Sequence, residues 1–158
     1  EFRRVLFRSD NTNNKGGDKM NVDAFDAIQL KTIQNVVFMT EHDFGASEQN
    51  KKFYRKYIDK TADEMLELAI RIHSLCKYAN SIYPESMAQW NERIEAEKKA
   101  LASVWALTSQ YHSILYILDV DENKYVNHIK KLKGQSGSIK NWINHDKKAY
   151  KNRDWWTA

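Results

Sequence analysis

From Lys51 to Leu118 the apolar positions recur every three or four residues, in two runs separated by one corner. The second run holds Met87, Trp90, Ile94, Leu101, Val104, Tyr111, Leu115 and Leu118, with Glu97 and Thr108 at the two steps where an apolar residue is missing. The first run holds Tyr54, Ile58, Met65, Leu68, Ile72, Leu75 and Ala79. That rhythm lays one apolar stripe along one side of each of two helices of about 30 residues, roughly 45–50 Å long. Between them, Pro84 lacks an N–H and biases Tyr83 away from helical geometry, so the first of the two helices must stop. Ser86-Met87-Ala88-Gln89 then fits a capping box that starts the next. Equal lengths and a short connection predict antiparallel neighbours.

A hairpin of two helices leaves its stripe half covered, and the flanking sequence supplies the cover. Asn21 or Asp23 can cap a helix running to about His42, with Phe25, Ile28, Ile33, Val36, Val37 and Met39 on its apolar side. Gly45 suits the left-handed end of that helix. After Leu118, Asp121 is a good N-cap for a last helix to about Asp146, in which Tyr125, Ile129, Leu132, Ser136, Ile139 and Ile143 keep a helical spacing. Gly134-Gln135-Ser136-Gly137-Ser138 interrupts it. Two glycines inside a helix cost on the order of 1 kcal/mol each, so the segment predicts either a kink or a close approach by another backbone. The expected fold is all-α, an up-down-up-down antiparallel four-helix bundle over residues 20–146. Residues 147–158 are expected to form a basic, aromatic tail.

Composition narrows the picture. One proline, five glycines and 42% hydrophobic residues in 158 suit a single helical domain with its own core. Cys76, the only cysteine, lies on the inner side of a helix and reads as a buried, reduced thiol; a cytoplasmic protein is expected. The longest apolar runs are too short to span a membrane. Glu1 to Ser9 reads as a translated sequencing adapter, and Lys15 to Met20 as a translated ribosome-binding sequence ahead of a start codon. Residues 1–19 are therefore expected to be a non-native leader outside the fold, and the protein to begin at Met20 in a bacterium or phage found by metagenomic sequencing.

Without that leader the net charge of +4 falls to +2, so its distribution matters more than its total. Lys124, Lys130, Lys131, Lys133, Lys140, Lys147, Lys148, Lys151 and Arg153 occupy one stretch in which Asp146 is the only acid. Tyr125, Trp142 and Tyr150 lie among them. Lysines that neutralise phosphates, interleaved with aromatic rings, form an electrostatic footprint for RNA or DNA. A second basic group, Lys51, Lys52, Arg55 and Lys56, crowds the start of the second helix, where positive charge opposes the helix dipole. The alternative for both groups is a solvated lysine face.

Enzymatic signatures are missing from the sequence. A di-metal bundle site needs Glu-x-x-His on two helices, and no glutamate here has a histidine three residues later. His73 and Cys76 alone would make a weak metal site, and His73 reads as structural or surface. No glycine-rich phosphate loop and no nucleophile–base spacing occurs. The expectation is a non-catalytic protein with no cofactor and no metal.

Residues 79–146 carry a resemblance. Ala79-Asn80-Ser81-Ile82-Tyr83-Pro84 at the corner, Asn123-Lys124-Tyr125 at the opening of the last helix, Ile139-Lys140-Asn141-Trp142 and then His145-Asp146-Lys147 resemble four-helix-bundle proteins encoded beside reverse transcriptases. These are the accessory variability determinants (Avd) of diversity-generating retroelements and the related bundle proteins of ribosomal RNA intervening sequences. The resemblance implies a homopentameric barrel with a basic surface that binds nucleic acid and a reverse transcriptase during template copying, without catalysis of its own. This chain departs from the pattern at Gly134-Gln135-Ser136-Gly137, where relatives have a regular helix, and at Asn141-Trp142, where they tend to have Gly-Trp. The rival expectation is a structural oligomerisation module whose basic face only solvates it.

Overall fold

The computed structural model describes residues 17–44, 48–118, 121–151, 153 and 154, with side chains from Ala24 to Glu41 and from Arg55 onward. Among the described residues four helices carry the fold: α1 (Gly17–Phe38), α2 (Glu48–Ser81), α3 (Met87–Ile117) and α4 (Val126–Ala149). A π-helical turn, Met39–Phe44, extends α1, and a 3-10 turn, Glu122–Tyr125, leads into α4. Cross-helix contacts set the order. Asp26 of α1 pairs with His73 of α2, Glu64 of α2 accepts from Gln110 of α3, Arg93 of α3 meets Asp146 of α4, and Gln135 of α4 reaches Thr32 of α1. With Tyr111–His128 and Phe25–Trp142, these pairs make every neighbour antiparallel and close the ring α1-α2-α3-α4. This is the expected up-down-up-down bundle.

The two central stripes behave as the spacing demands. Trp90, Ile94, Leu101, Val104, Tyr111, Leu115 and Leu118 are buried, as are Ile58, Met65, Ile72 and Ala79 of α2. Fully burying one such aliphatic side chain contributes about 1.5–3 kcal/mol, so the hairpin carries much of the core. The corner is built as its residues require. α2 ends at Ser81, the Ser86 side chain accepts from the Gln89 N–H at 3.3 Å, and Gln89 Oε1 accepts from the Glu85 N–H at 2.8 Å. The return bond lands one residue earlier than in the usual capping box.

Three expectations change. On α1 the buried face runs through Gln29, Thr32, Val36 and Met39, with Phe25 partly buried, while Ile28, Leu30 and Phe38 are exposed. The true 3-4 stripe contains two polar steps, which an apolar pattern cannot reveal. The glycine segment neither breaks α4 nor admits a neighbouring backbone. The helix is continuous from Val126 to Ala149, and a Cβ at Gly134 or Gly137 would meet nothing within 4 Å. Ser136 and Ser138 instead donate to the carbonyls of Lys133 and Gly134 within the helix. The boundaries shift as well: α1 begins at Gly17, inside the expected leader, and Lys147–Ala149 complete α4. Tyr150, assigned to the tail, is buried with its ring 5.1 Å from that of Trp90. Residues 1–16, Gly45, Trp155 and Trp156 lie outside the described residues.

Candidate nucleic-acid interface

At about 100° per residue, Lys133, Lys140 and Lys147 recur every seven positions along one flank of α4, the flank that borders α3. Antiparallel packing fixes what stands opposite them. Arg93 is level with Asp146 and Tyr111 with His128, and the Lys140 side chain reaches along the seam to Trp105. The α3 row on that side is Lys98, Trp105 and His112, again seven apart, so two rows run in opposite directions along the same seam. Lys140 Nζ lies 5.2 Å from the Trp105 ring centroid, and Trp105 is 50% exposed. That distance is within cation–π range. Tyr116 continues the α3 side and is 84% exposed. From Lys98 to Leu118 α3 has no acidic residue, and from Asn123 to His145 neither does the last helix and its lead-in. Between those limits the two helices offer ammonium groups, an imidazole and two aromatic rings, with no carboxylate among them.

The fold divides the sequence-predicted set. Lys133, Lys140 and Lys147 form the row just described; Lys130 and Lys148 point outward beside it, and all are exposed. Lys124 sits on the 3-10 turn with its ammonium 5.8 Å from the Tyr125 ring, and Lys151 follows the end of α4. Lys131 faces the other way, toward α1, where it borders a groove. Trp142 must be withdrawn from the binding set: it is 3% exposed, packed edge-on against Phe25 at 6.1 Å and beneath the Arg93 guanidinium at 5.7 Å. Tyr125 and Tyr150 are buried as well. All three aromatics lie on the buried side of α4 or its two caps, so Trp105 and Tyr116 provide the exposed rings instead. Arg55 is paired with Asp59 at 3.3 Å, and Arg55 and Lys56 stand on α2, diagonal to α4 in the ring. The Lys51 and Lys52 side chains lie outside the described residues.

Sequence reasoning missed Lys98, Trp105, His112 and Tyr116. The usable signal was the acid-free run of α3, which carries few lysines of its own and so does not stand out as a basic cluster.

It also missed the ionic centre under one end of this face. Arg93 is 1% exposed, and Glu97 and Asp146 are both 0% exposed. Arg93 Nε donates to Asp146 Oδ2 at 2.5 Å and lies 3.2 Å from Glu97 Oε1. Its Nη1 donates to the carbonyls of Ile82 at 2.7 Å and Ala79 at 3.3 Å. These carbonyls belong to the end of α2, where acceptors are orphaned and the helix dipole favours a cation. One guanidinium thus ties the α2–α3 corner to the end of α4. With both acids ionised, neither Glu97 oxygen would have a hydrogen-bond partner. Burial, then the hydrogen bond to the neighbouring Asp146 carboxyl and its charge, push the Glu97 carboxyl up to about 10, against the opposing pull of Arg93. A proton held on Glu97 makes it a donor toward Asp146 and leaves one positive and one negative charge in the core, the arrangement that burial demands. Burial likewise pushes the Cys76 thiol up to about 12, which makes it an inert core residue.

His73 bonds Asp26 at 2.6 Å between α2 and α1, a structural role. Among the described residues, no group of three or more His, Cys, Asp or Glu is placed to hold a metal ion, and no helix is long and apolar enough to cross a membrane. The chain matches no known protein family, no curated protein and no solved structure.

Proposed function

We propose that this protein is a non-catalytic nucleic-acid-binding accessory factor and that the α3/α4 face is its binding surface. One observation carries the reading: the paired rows Lys98-Trp105-His112 and Lys147-Lys140-Lys133, acid-free from Lys98 to Leu118 and from Asn123 to His145, with Lys140 held over a half-exposed tryptophan. Lysines there meet phosphates, while Trp105 and Tyr116 offer stacking faces for bases. The resemblance of the corner and the last helix to Avd-like bundles supplies the rest of the proposal, a reverse transcriptase as protein partner and a homo-oligomer, pentameric by analogy.

The test is binding of RNA and DNA across a salt series, wild type against Lys133→Gln/Lys140→Gln/Lys147→Gln. Each phosphate contact removed should flatten the slope of log affinity against log salt by about 0.9 on duplex and about 0.7 on single strands. The expected loss is uniform across unrelated sequences. An unchanged slope in a folded triple variant would remove this face from the binding surface.

A second reading, an oligomerisation module, is favoured by the exposed Leu30, Phe38 and Ile28 on α1. Light scattering with and without RNA separates the two, since a pure assembly module oligomerises but shows no salt-dependent RNA binding.

A further inference from the structure

Past Lys99 the exposed side of α3 changes character. From Ala100 to Leu118 the helix has no Asp, Glu, Lys or Arg, although Ala102, Trp105, Ser109, His112, Ser113 and Tyr116 face solvent. A solvent-facing helix side ordinarily carries charged residues. Alongside runs α4, whose exposed positions on and beside the shared seam include Lys130, Lys133, Lys140, Lys147 and Lys148. The face therefore has two unlike tracks, one cationic, the other neutral and aromatic. Glu95, one turn before Lys99, and Asp121 and Glu122 beyond Leu118 bound the neutral track at its ends.

Trp105 and Tyr116 both stand open to solvent. They are eleven residues apart, which at about 100° and 1.5 Å per residue puts both rings on one side of α3, about 16 Å apart. Ser109, His112 and Ser113 lie between them, with hydroxyl and imidazole groups that can meet base edges. The register set by Arg93–Asp146 and Tyr111–His128 puts Lys133 level with Ala106, next to Trp105 in the chain. Lys140 reaches the same ring from further along α4. The cationic track thus borders the first ring directly.

We propose that this face is a track for a single strand, with phosphates along the α4 lysines and bases over α3, one base stacked on Trp105 and another on Tyr116. This inference rests on the nucleic-acid-binding reading and deepens it by naming single-stranded RNA or DNA as the preferred class. The asymmetry of the two tracks selects the occupant. A single strand has a charged edge and an aromatic edge, which match lysines on one helix and rings on the next. A duplex keeps its base faces stacked inside and turns the phosphates of both strands outward, so the neutral track and its rings would go unused. At about 3.4 Å per stacked nucleotide the two rings are about five nucleotides apart.

The experiment uses the full chain with three RNA probes: a 12-nucleotide A-rich strand, the same strand in a duplex, and a 12-nucleotide strand whose bases are all absent. The abasic strand keeps the phosphates and removes every stacking face. The wild type should bind the A-rich strand more tightly than either other probe. Trp105→Leu and Tyr116→Ser should each weaken binding of the A-rich strand about fivefold or more. The slope against salt should not change, because stacking releases no counterion. Neither substitution should alter binding of the abasic strand. Tyr116, the more exposed ring, keeps the test valid if Trp105→Leu lowers the melting midpoint. Equal wild-type affinity for strand and duplex, or equal losses on the A-rich and abasic strands, would overturn the proposal. So would a change of mass in light scattering on substituting the rings with RNA affinity unchanged, the result expected if a second copy of the chain covers them. If the wild type binds none of the probes, the broader nucleic-acid reading fails with it. If it binds all three alike and only Lys133→Gln/Lys140→Gln/Lys147→Gln weakens binding, the broader reading stands and the single-strand track fails.

Discussion

α4 touches the bundle along two seams that solve the same problem in opposite ways. Toward α3 the seam is closed around charge: Arg93, Glu97 and Asp146 are removed from water, and the guanidinium also holds the carbonyls that end α2. Toward α1 the seam is held by a neutral amide–hydroxyl bond, Gln135 to Thr32, beside an open groove. A buried ion cluster is intolerant of losing one member, because the others are then stranded in low dielectric. Losing a neutral amide–hydroxyl bond strands no charge. The first seam fixes the corner of the hairpin; the second leaves room.

The largest expected effect breaks that contrast at its charged end. Arg93→Met strands the Asp146 carboxylate and two helix-end carbonyls, and should destabilise the fold by about 3–5 kcal/mol in denaturant titrations. Changes at Gln135 should stay well below that, and a loss under 1 kcal/mol for Arg93→Met would show that the cluster is solvated.

A pH series sharpens the contrast next. Burial and the neighbouring Asp146 carboxyl raise the Glu97 pKa from 4.5 to about 10. Between those values the folded state carries a proton that the unfolded chain has released. The contribution of Glu97 to stability is therefore fully present below about pH 4.5 and is lost as pH rises toward 10, by at most about 1.4 kcal/mol per pH unit. Glu97→Gln keeps a donor toward Asp146 without the titration. Its stability should fall less than that of the wild type between pH 6 and 9, and parallel curves for the two proteins would mean that Glu97 is ionised in the fold.

The smallest effect concerns the open seam. Because a Cβ at Gly134 meets nothing within 4 Å, Gly134→Ala should stabilise the protein by about 0.5–1 kcal/mol, from lower unfolded-state entropy and better helix propensity. A loss of stability in thermal melts would indicate that the groove is filled in solution.

The period of apolar residues determined the four helices, the corner at Pro84, the cap at Ser86 and the buried stripes of α2 and α3, because those features depend on local spacing and backbone chemistry. It also marked Glu97 as the missing step of a stripe, without showing that the step is filled by a buried carboxyl. That required Asp146, which the chain brings up from the end of another helix, and Arg93, whose cost of burial is met only by partners on three segments. The lysines of α4 were legible as a group, but their division between two flanks was not, since a helix sorts side chains by angle and only its neighbours decide which angles face outward. Trp142 illustrates the point: its position among lysines suggested a surface ring, and packing against Phe25 and Arg93 placed it in the core. The buried polar steps Gln29 and Thr32, the exposed Trp105 within reach of Lys140 and the groove beside Gly134 all belong to the tertiary structure. Each is set by which helix lies alongside, and no local pattern along the chain encodes that.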